Sequence, residues 1–391
     1  MRIGMLSWES LYSIKVGGVA PHVSEISEAL ARRGHEVHVF TRRGDFDSYD
    51  KINGVHYQRV DSDSSGDILH QMDSMCNAIY GRFAAVQTLF GRFDIIHGHD
   101  WHPVLALKRI KDDHCLPFLL TMHSTEWGRN GNNFGYGSLS KEVSHREWLG
   151  CYEASQVIVT TKRMQDELMW IYSLPAEKIH IIPNGIVRGK MRRRLDAGRV
   201  KERYGIHPLA PVVLFCGRMS IQKGPDLLVE AIPRILKNRS DVRFVFMGEG
   251  GMRAECERRA RELGVADACK FLGYASSSEK EELINACDLM CIPSRNEPFG
   301  VVVLEAWDAC KPVVATEAVS IIKNFEDGLQ AYIQPESIAW CINRLLSNPE
   351  EMRTLAEAGY RRVESEFSWD MIAKRTEEVY EGVLAAGSRA P

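Results

Sequence analysis

What most constrains this 391-residue chain is a pattern that runs once and then restarts: a buried apolar strand, a glycine-containing loop, an amphipathic helix, and another buried strand. In its first occurrence a short apolar strand leads into Lys15-Val16-Gly17-Gly18-Val19. Val23, Ile26, Ala29 and Leu30 follow at helical spacing, and Gly34 supplies a helix stop. Glu36-Val37-His38-Val39-Phe40 then reads as the next strand. Two strands joined through a helix must lie parallel, so this is the building block of a doubly wound sheet. Phe93-Asp94-Ile95-Ile96-His97, Phe118-Leu119-Leu120-Thr121 and Gln156-Val157-Ile158-Val159-Thr160 extend that sheet.

The restart is at Pro211-Val212-Val213-Leu214-Phe215-Cys216-Gly217, followed by a helix over 225–236 and the strand Val242-Arg243-Phe244-Val245-Phe246-Met247. Lys270-Phe271-Leu272, Leu289-Met290-Cys291-Ile292 and Pro312-Val313-Val314-Ala315 continue the alternation. A chain of this length exceeds one ordinary core, which agrees with two cores. Pro183-Asn184-Gly185 is a turn signal between them. The expected division is therefore 1–187 and 188–368, each a Rossmann-like doubly wound α/β domain facing the other across a cleft. A last helix over 371–384, within a segment 369–391, falls outside the alternation and is expected to cross back to the first domain.

A net charge of −3 implies no polyanion partner. No run approaches the roughly 18 apolar residues of a membrane span, and the start lacks a secretory signal pattern. Ten scattered cysteines without a C-x-x-C pair read as reduced thiols, giving an expected cytoplasmic location.

In open parallel sheets, ligands bind beyond the carboxyl ends of strands, so the loops there carry the candidates. Gly17-Gly18 is either a tight turn or a place where amides approach an anion, with Lys15 beside it. It matches neither a dinucleotide fingerprint nor a P-loop. His97-Gly98-His99-Asp100-Trp101-His102 concentrates three histidines, but neighbours on one short loop cannot converge on one ion, so no metal site is expected and His99 and Asp100 read as a polar cleft wall. His123, Glu126, Trp127 and Arg129 follow another strand and suit a sugar's hydroxyls and apolar face, with 130–137 a mobile run. In the second half, Arg218 and Lys223 lie on one strand-end loop and suit a diphosphate. Glu297-Pro298-Phe299-Gly300 follows another strand, and Glu305 falls about two turns into the next helix.

These residues resemble the retaining glycosyltransferases of family 4 and the closely related bacterial and archaeal glycogen synthases. The likeness rests on Gly217-Arg218 with Lys223-Gly224, on Glu297-Pro298-Phe299-Gly300 ending in Glu305, and on Ile182-Pro183-Asn184-Gly185. Lys15-Val16-Gly17-Gly18, the histidine-rich stretch and Thr121 through Arg129 are similar to glycogen-synthase-type members, including those that make maltose 1-phosphate. The resemblance implies the glycosyltransferase B architecture and a metal-independent, retaining hexosyltransferase without cofactor. It implies a donor of ADP-glucose or UDP-glucose and an α-glucan or small sugar acceptor. By the same resemblance Arg218 and Lys223 hold the diphosphate and Glu297 meets the transferred sugar. The amides of Phe299, Gly300 and Val301 approach the sugar or phosphate, Glu305 binds ribose, and Gly17 and Gly18 lie on the donor side. His123 contacts the sugar near the reacting carbon rather than acting as a nucleophile. Lys15, His99, Asp100, Glu126 and Arg129 face acceptor or sugar.

Two departures stand out. After Thr316 the family's Gly-Gly turn is replaced by Glu317-Ala318-Val319-Ser320, and a basic run over 188–194 follows Asn184-Gly185-Ile186-Val187 without an Asp. The alternatives are a small-acceptor transferase of sucrose-phosphate-synthase type, a non-catalytic nucleotide-sugar-binding protein, and a nucleotide-sugar epimerase. Donor base, acceptor and oligomeric state stay open.

Overall fold

The computed structural model describes residues 1–387; residues 388–391, the end of the expected C-terminal segment, lie outside the described residues. The chain divides into two units, Met1–Trp127 with Phe134–Gly185 and Trp369–Pro391, and Gly128–Asn133 with Ile186–Ser368.

The first unit runs β1 (Arg2–Leu6), α1 (Val19–Arg32), β2 (Glu36–Arg42), β3 (Tyr49–Ile52), β4 (Val55–Val60), α2 (Ile68–Phe90), β5 (Ile95–His99), α3 (Val104–His114), β6 (Phe118–Met122), α4 (Glu126–Arg129), α5 (Ser138–Glu153), β7 (Gln156–Val159), α6 (Lys162–Tyr172) and β8 (Ile179–Ile181). Its sheet has the order β3-β4-β2-β1-β5-β6-β7-β8, parallel except for the β3–β4 hairpin. Alternate residues of one strand face opposite sides of a sheet. Leu6, Ile96 and Leu120 accordingly join one apolar cluster, while Ile3, Met5, Ile95 and Leu119 join another. Both faces are covered, which is why β1, β6 and the start of β5 read as apolar runs.

The second unit contains α7 (Ala197–Arg203), β9 (Val212–Cys216), α8 (Pro225–Asn238), β10 (Arg243–Met247), α9 (Arg253–Glu262), β11 (Cys269–Gly273), α10 (Ser277–Ala286), β12 (Leu289–Ile292), α11 (Val301–Asp308), β13 (Val313–Thr316), β14 (Leu329–Ala331), α12 (Pro335–Ser347) and α13 (Pro349–Glu366). All strands are parallel, in the order β11-β10-β9-β12-β13-β14. Val213 and Phe215 pack to one side, Val212 and Leu214 to the other.

The last helix, α14 (Trp369–Gly387), belongs to the first unit and packs on α1. Ile372, Ala373, Val379, Tyr380 and Val383 fill the cluster that includes Ile3, Met5 and Val23. Trp369 Nε1 donates to Glu25 Oε2 at 2.6 Å. At roughly 1.5–3 kcal/mol for each large apolar side chain buried, losing α14 would consume much of a typical 5–15 kcal/mol stability.

Three details differ from the sequence reading. The third central strand lies two residues later than expected, so Gly98 and His99 are strand rather than loop: Gly98 pairs with Leu6 and Leu120, and His99 with Thr121. The β3–β4 hairpin escapes the pattern because β3 is four residues long and mostly polar. Strands β8 and β14, three residues each, are too short to show a period. No described helix is long and apolar enough to cross a membrane. All ten cysteines are free thiols.

Candidate functional site

Strand order decides where loops meet. In the second sheet β9 and β12 are adjacent, while the strands that follow each in sequence lie on opposite outer sides, so this is the switch point at which open α/β sheets bind ligands. The loops leaving it are 217–224 and 293–300, and they bring Lys223 to Glu297. Lys223 Nζ lies 2.9 and 2.8 Å from the two oxygens of Glu297, a carboxylate whose side chain is only 8% exposed. Ser294 Oγ donates to the same carboxylate at 3.1 Å. The approach requires Gly224: its φ is +62°, and a Cβ there would sit 2.1 Å from the carbonyl oxygen of Pro293. Arg218 is exposed and makes no side-chain hydrogen bond or ion pair among the described residues, so its charge is open to a ligand.

Glu297 lies at the tip of this loop. Phe299 is buried, Gly300 caps α11 in the left-handed region, and Val301 opens that helix. Glu305 lies one turn into α11 rather than the expected two, because the helix starts only at Val301, and it accepts from Lys280 Nζ at 2.5 Å. Burial opposes the Lys280 charge, yet Glu305 beside it carries the net shift upward. Sequence reasoning missed Lys280, which sits in α10 and has no motif around it. Asn132, within Gly128–Asn133, bonds the carbonyl of Arg295 and the side-chain amide of Asn296 at 3.1 and 2.8 Å. That places the segment after Arg129 against the Glu297 loop.

The first unit repeats the arrangement at the β1–β5 switch point. His99 ends β5, His123 follows β6, and His22 lies in the first turn of α1. Their rings cluster: His22 to His123 4.4 Å, His22 to His99 5.3 Å, and His99 to His123 5.5 Å between centroids. Burial, with neighbouring histidines adding to it, pulls His22 and His99 well below 6.5, and burial brings His123 to about 3. All three are therefore neutral imidazoles at pH 7. Asp100 Oδ1 accepts from the His123 backbone N–H at 2.7 Å and so fixes that residue.

His97 and His102 turn elsewhere. His97 sits between Tyr380 Oη and Thr121 Oγ1, 2.7 Å from each, and His102 stacks on Trp8 at 4.2 Å. Glu126 begins α4 and holds Ser140 Oγ at 2.8 Å; Arg129 ends the same helix.

Lys15, Gly17 and Gly18 are exposed. The amides of Val16 and Gly17 donate to Glu9 Oε2 at 2.5 and 2.7 Å, so an internal carboxylate takes the loop amides that the sequence reading offered to an anion. Burial pushes the Glu9 carboxyl above its ordinary range, against those hydrogen bonds. Neither Glu9 nor His22 stood out in sequence; His22 was discoverable only as a polar residue on the buried face of α1.

Comparison with known proteins gives the family. The family model described as Glycosyltransferase Family 4 matches residues 16–188, and that described as Glycosyl transferases group 1 matches residues 198–362. An uncharacterized glycosyltransferase of Methanocaldococcus jannaschii is 34% identical over 387 residues, covering 97% of this chain and 98% of its own. The chain belongs to the family 4 glycosyltransferases.

Glycogen synthase of Mycobacterium tuberculosis is a further relative of this glycosyltransferase, 29% identical over 100% of this chain and 97% of its own. Among solved structures, sucrose-phosphate synthase from Thermosynechococcus elongatus has the same fold, with a TM-score of 0.82 at 22% identity, covering 98% of this chain and 99% of that one. The two-sheet architecture is thus that of glycosyltransferase B enzymes.

After Thr316, where the family resemblance implies a Gly-Gly turn, this glycosyltransferase has Ala318 and Val319 fully buried. Val319 bridges to Glu297, and its Cγ1 lies 3.3 Å from where a Cβ on Gly300 would be. The replaced turn therefore braces the Glu297 loop instead of leaving bare backbone there. The basic run is largely engaged: Arg188 pairs with Glu364, Arg193 with Glu281, and Arg192 lies over the Tyr360 ring.

Proposed function

We propose that this glycosyltransferase moves glucose from ADP-glucose or UDP-glucose to an α-glucan or small sugar acceptor, with retention of configuration and without a metal or cofactor. The observation that carries the reading is the Lys223–Glu297 pair at the switch point, with the exposed Arg218 on the same loop. Two cations on one strand-end loop can neutralise a departing diphosphate, the task a metal performs elsewhere. Glu297 would take hydroxyls of the transferred sugar, Glu305 the ribose, and the amides of Phe299, Gly300 and Val301 the sugar or phosphate. His123, with Lys15, His99, Asp100, Glu126 and Arg129, would serve the sugar and acceptor. Gly17 and Gly18 would lie on the donor side as a loop shaped by Glu9. The glycogen synthase relationship supports glucose and an α-glucan. The free thiols fit a reducing, cytoplasmic setting.

The buried Ala318-Val319 turn favours a second reading, a small acceptor in place of a glucan chain, because it stands beside Glu297 where the family resemblance implies a Gly-Gly turn. Proton NMR of the product formed from each donor in EDTA, with maltodextrin or with phosphorylated monosaccharides as acceptors, decides between them. An α-linked product with either acceptor class supports transfer with retention. A β-linked product, or turnover that EDTA abolishes, would contradict it.

A further inference from the structure

We propose that His22, His99 and His123 form a site for one imidazole-preferring transition cation, zinc above all, and that its occupation stops transfer. The sequence reading set metal aside because the histidines of one short loop cannot surround an ion. The fold answers that objection by drawing its histidines from three segments, α1, the end of β5 and the residue after β6.

One ring nitrogen from each lies within 4.8 Å of the others. His99 Nδ1 and His123 Nε2 are 3.2 Å apart. Zinc–nitrogen bonds of about 2.0–2.1 Å in a tetrahedron place ligand nitrogens about 3.3 Å apart, so this pair is already at an edge of such a site. His22 must close the remainder by a side-chain adjustment. Its Nδ1 lies 2.8 Å from Asn184 Oδ1; an amide oxygen accepts only, so Nδ1 carries the proton and Nε2 keeps its lone pair. A ligand histidine held through its other nitrogen by a carbonyl is the usual second layer of a zinc site. Ligation through His99 Nδ1 puts that ring's proton on Nε2, a buried atom without a hydrogen-bond partner.

Three neutral nitrogens suit zinc, copper or nickel and offer nothing to magnesium or calcium, which require oxygen. His123 is only partly buried, which leaves room for a water as fourth ligand. The inhibitory half rests on the proposed function, in which His123 meets the transferred sugar.

The test is metal binding by chelator-stripped protein. Wild type, His22→Gln and His99→Gln are dialysed against micromolar zinc and the bound metal is counted by mass spectrometry, with circular dichroism as the check on folding. The wild type should retain one zinc more than either variant, and cobalt in its place should give the strong visible bands of a tetrahedral nitrogen site. Equal zinc in wild type and His22→Gln, or a weak octahedral cobalt spectrum, would overturn the site; the cobalt spectrum of wild type decides even where a variant does not fold. Zinc should also abolish transfer, with EDTA restoring it. One bound zinc with transfer undiminished would leave the site standing and overturn the inhibition together with the placing of His123 at the sugar.

Discussion

Lys223 Nζ is shared between both oxygens of Glu297, at 2.9 and 2.8 Å, although the two residues are 74 positions apart and lie on loops leaving different strands. The pair exists because β9 and β12 are neighbours in the sheet and Gly224 lets one loop pass against the other. In the proposed reaction a cation so held would already be in place when negative charge grows on a leaving diphosphate. Lys223→Ala should therefore lower turnover by about 10²-fold to 10³-fold, the scale of a lost preorganised electrostatic donor. Steady-state nucleotide release measures it, and an unchanged rate would remove Lys223 from the mechanism.

The Glu9 carboxylate organises the glycine loop. Glu9→Ala leaves the Val16 and Gly17 amides without their acceptor, a loss of about 1–3 kcal/mol for unsatisfied groups. Both residues are exposed, so water replaces part of it and the lower end, about 1 kcal/mol, is expected. Both amides use Oε2, so one amide oxygen can accept both and Glu9→Gln should retain most of the stability. Urea denaturation of the two variants checks the order; equal losses would contradict it.

Gly359 sits inside α13, where alanine ordinarily stabilises a helix by about 1 kcal/mol. Here a Cβ would meet the fully buried Trp307 ring at 2.1 Å. Overpacking costs about 1–3 kcal/mol and wins, so Gly359→Ala should lower the melting temperature. An unchanged or raised value would show that the Trp307 packing yields.

The buried histidines make stability depend on pH. Burial holds His97 and His123 at about 3, below the 6.5 of an unfolded chain. With folded values depressed, the unfolded state binds more protons below 6.5, so their contribution is complete above 6.5 and is lost as pH falls toward 3. Each costs about 1.4 kcal/mol per pH unit within that window. Between pH 7.5 and 5.5, where carboxylates remain largely ionised, these two should remove about 2–3 kcal/mol. Urea midpoints at the two values measure the loss, and identical midpoints would contradict it.

Much of this was legible in the linear pattern. Strands buried on both faces, such as Val212–Cys216 and Leu289–Ile292, announce themselves as apolar runs, and the loops after them carry Arg218, Lys223 and Glu297 in order. What the pattern hides is side-chain convergence across segments. His22 looks like one more residue of α1 until β5 and β6 bring His99 and His123 beside it. His97 looks functional until Tyr380, 283 positions later, is found holding its ring. Glu9 offers no spacing to read, because its partners are backbone amides.

Nucleotide release is the direct measure of the proposed glucosyl transfer from a nucleotide-activated donor. Wild type and Lys223→Ala are each given ADP-glucose and UDP-glucose in EDTA, with and without maltodextrin or a phosphorylated monosaccharide. Wild type should release nucleotide from one of the donors, with release stimulated by an acceptor and largely lost in Lys223→Ala. Donor that binds but releases no nucleotide with any acceptor, or release that requires an added divalent metal, would contradict it.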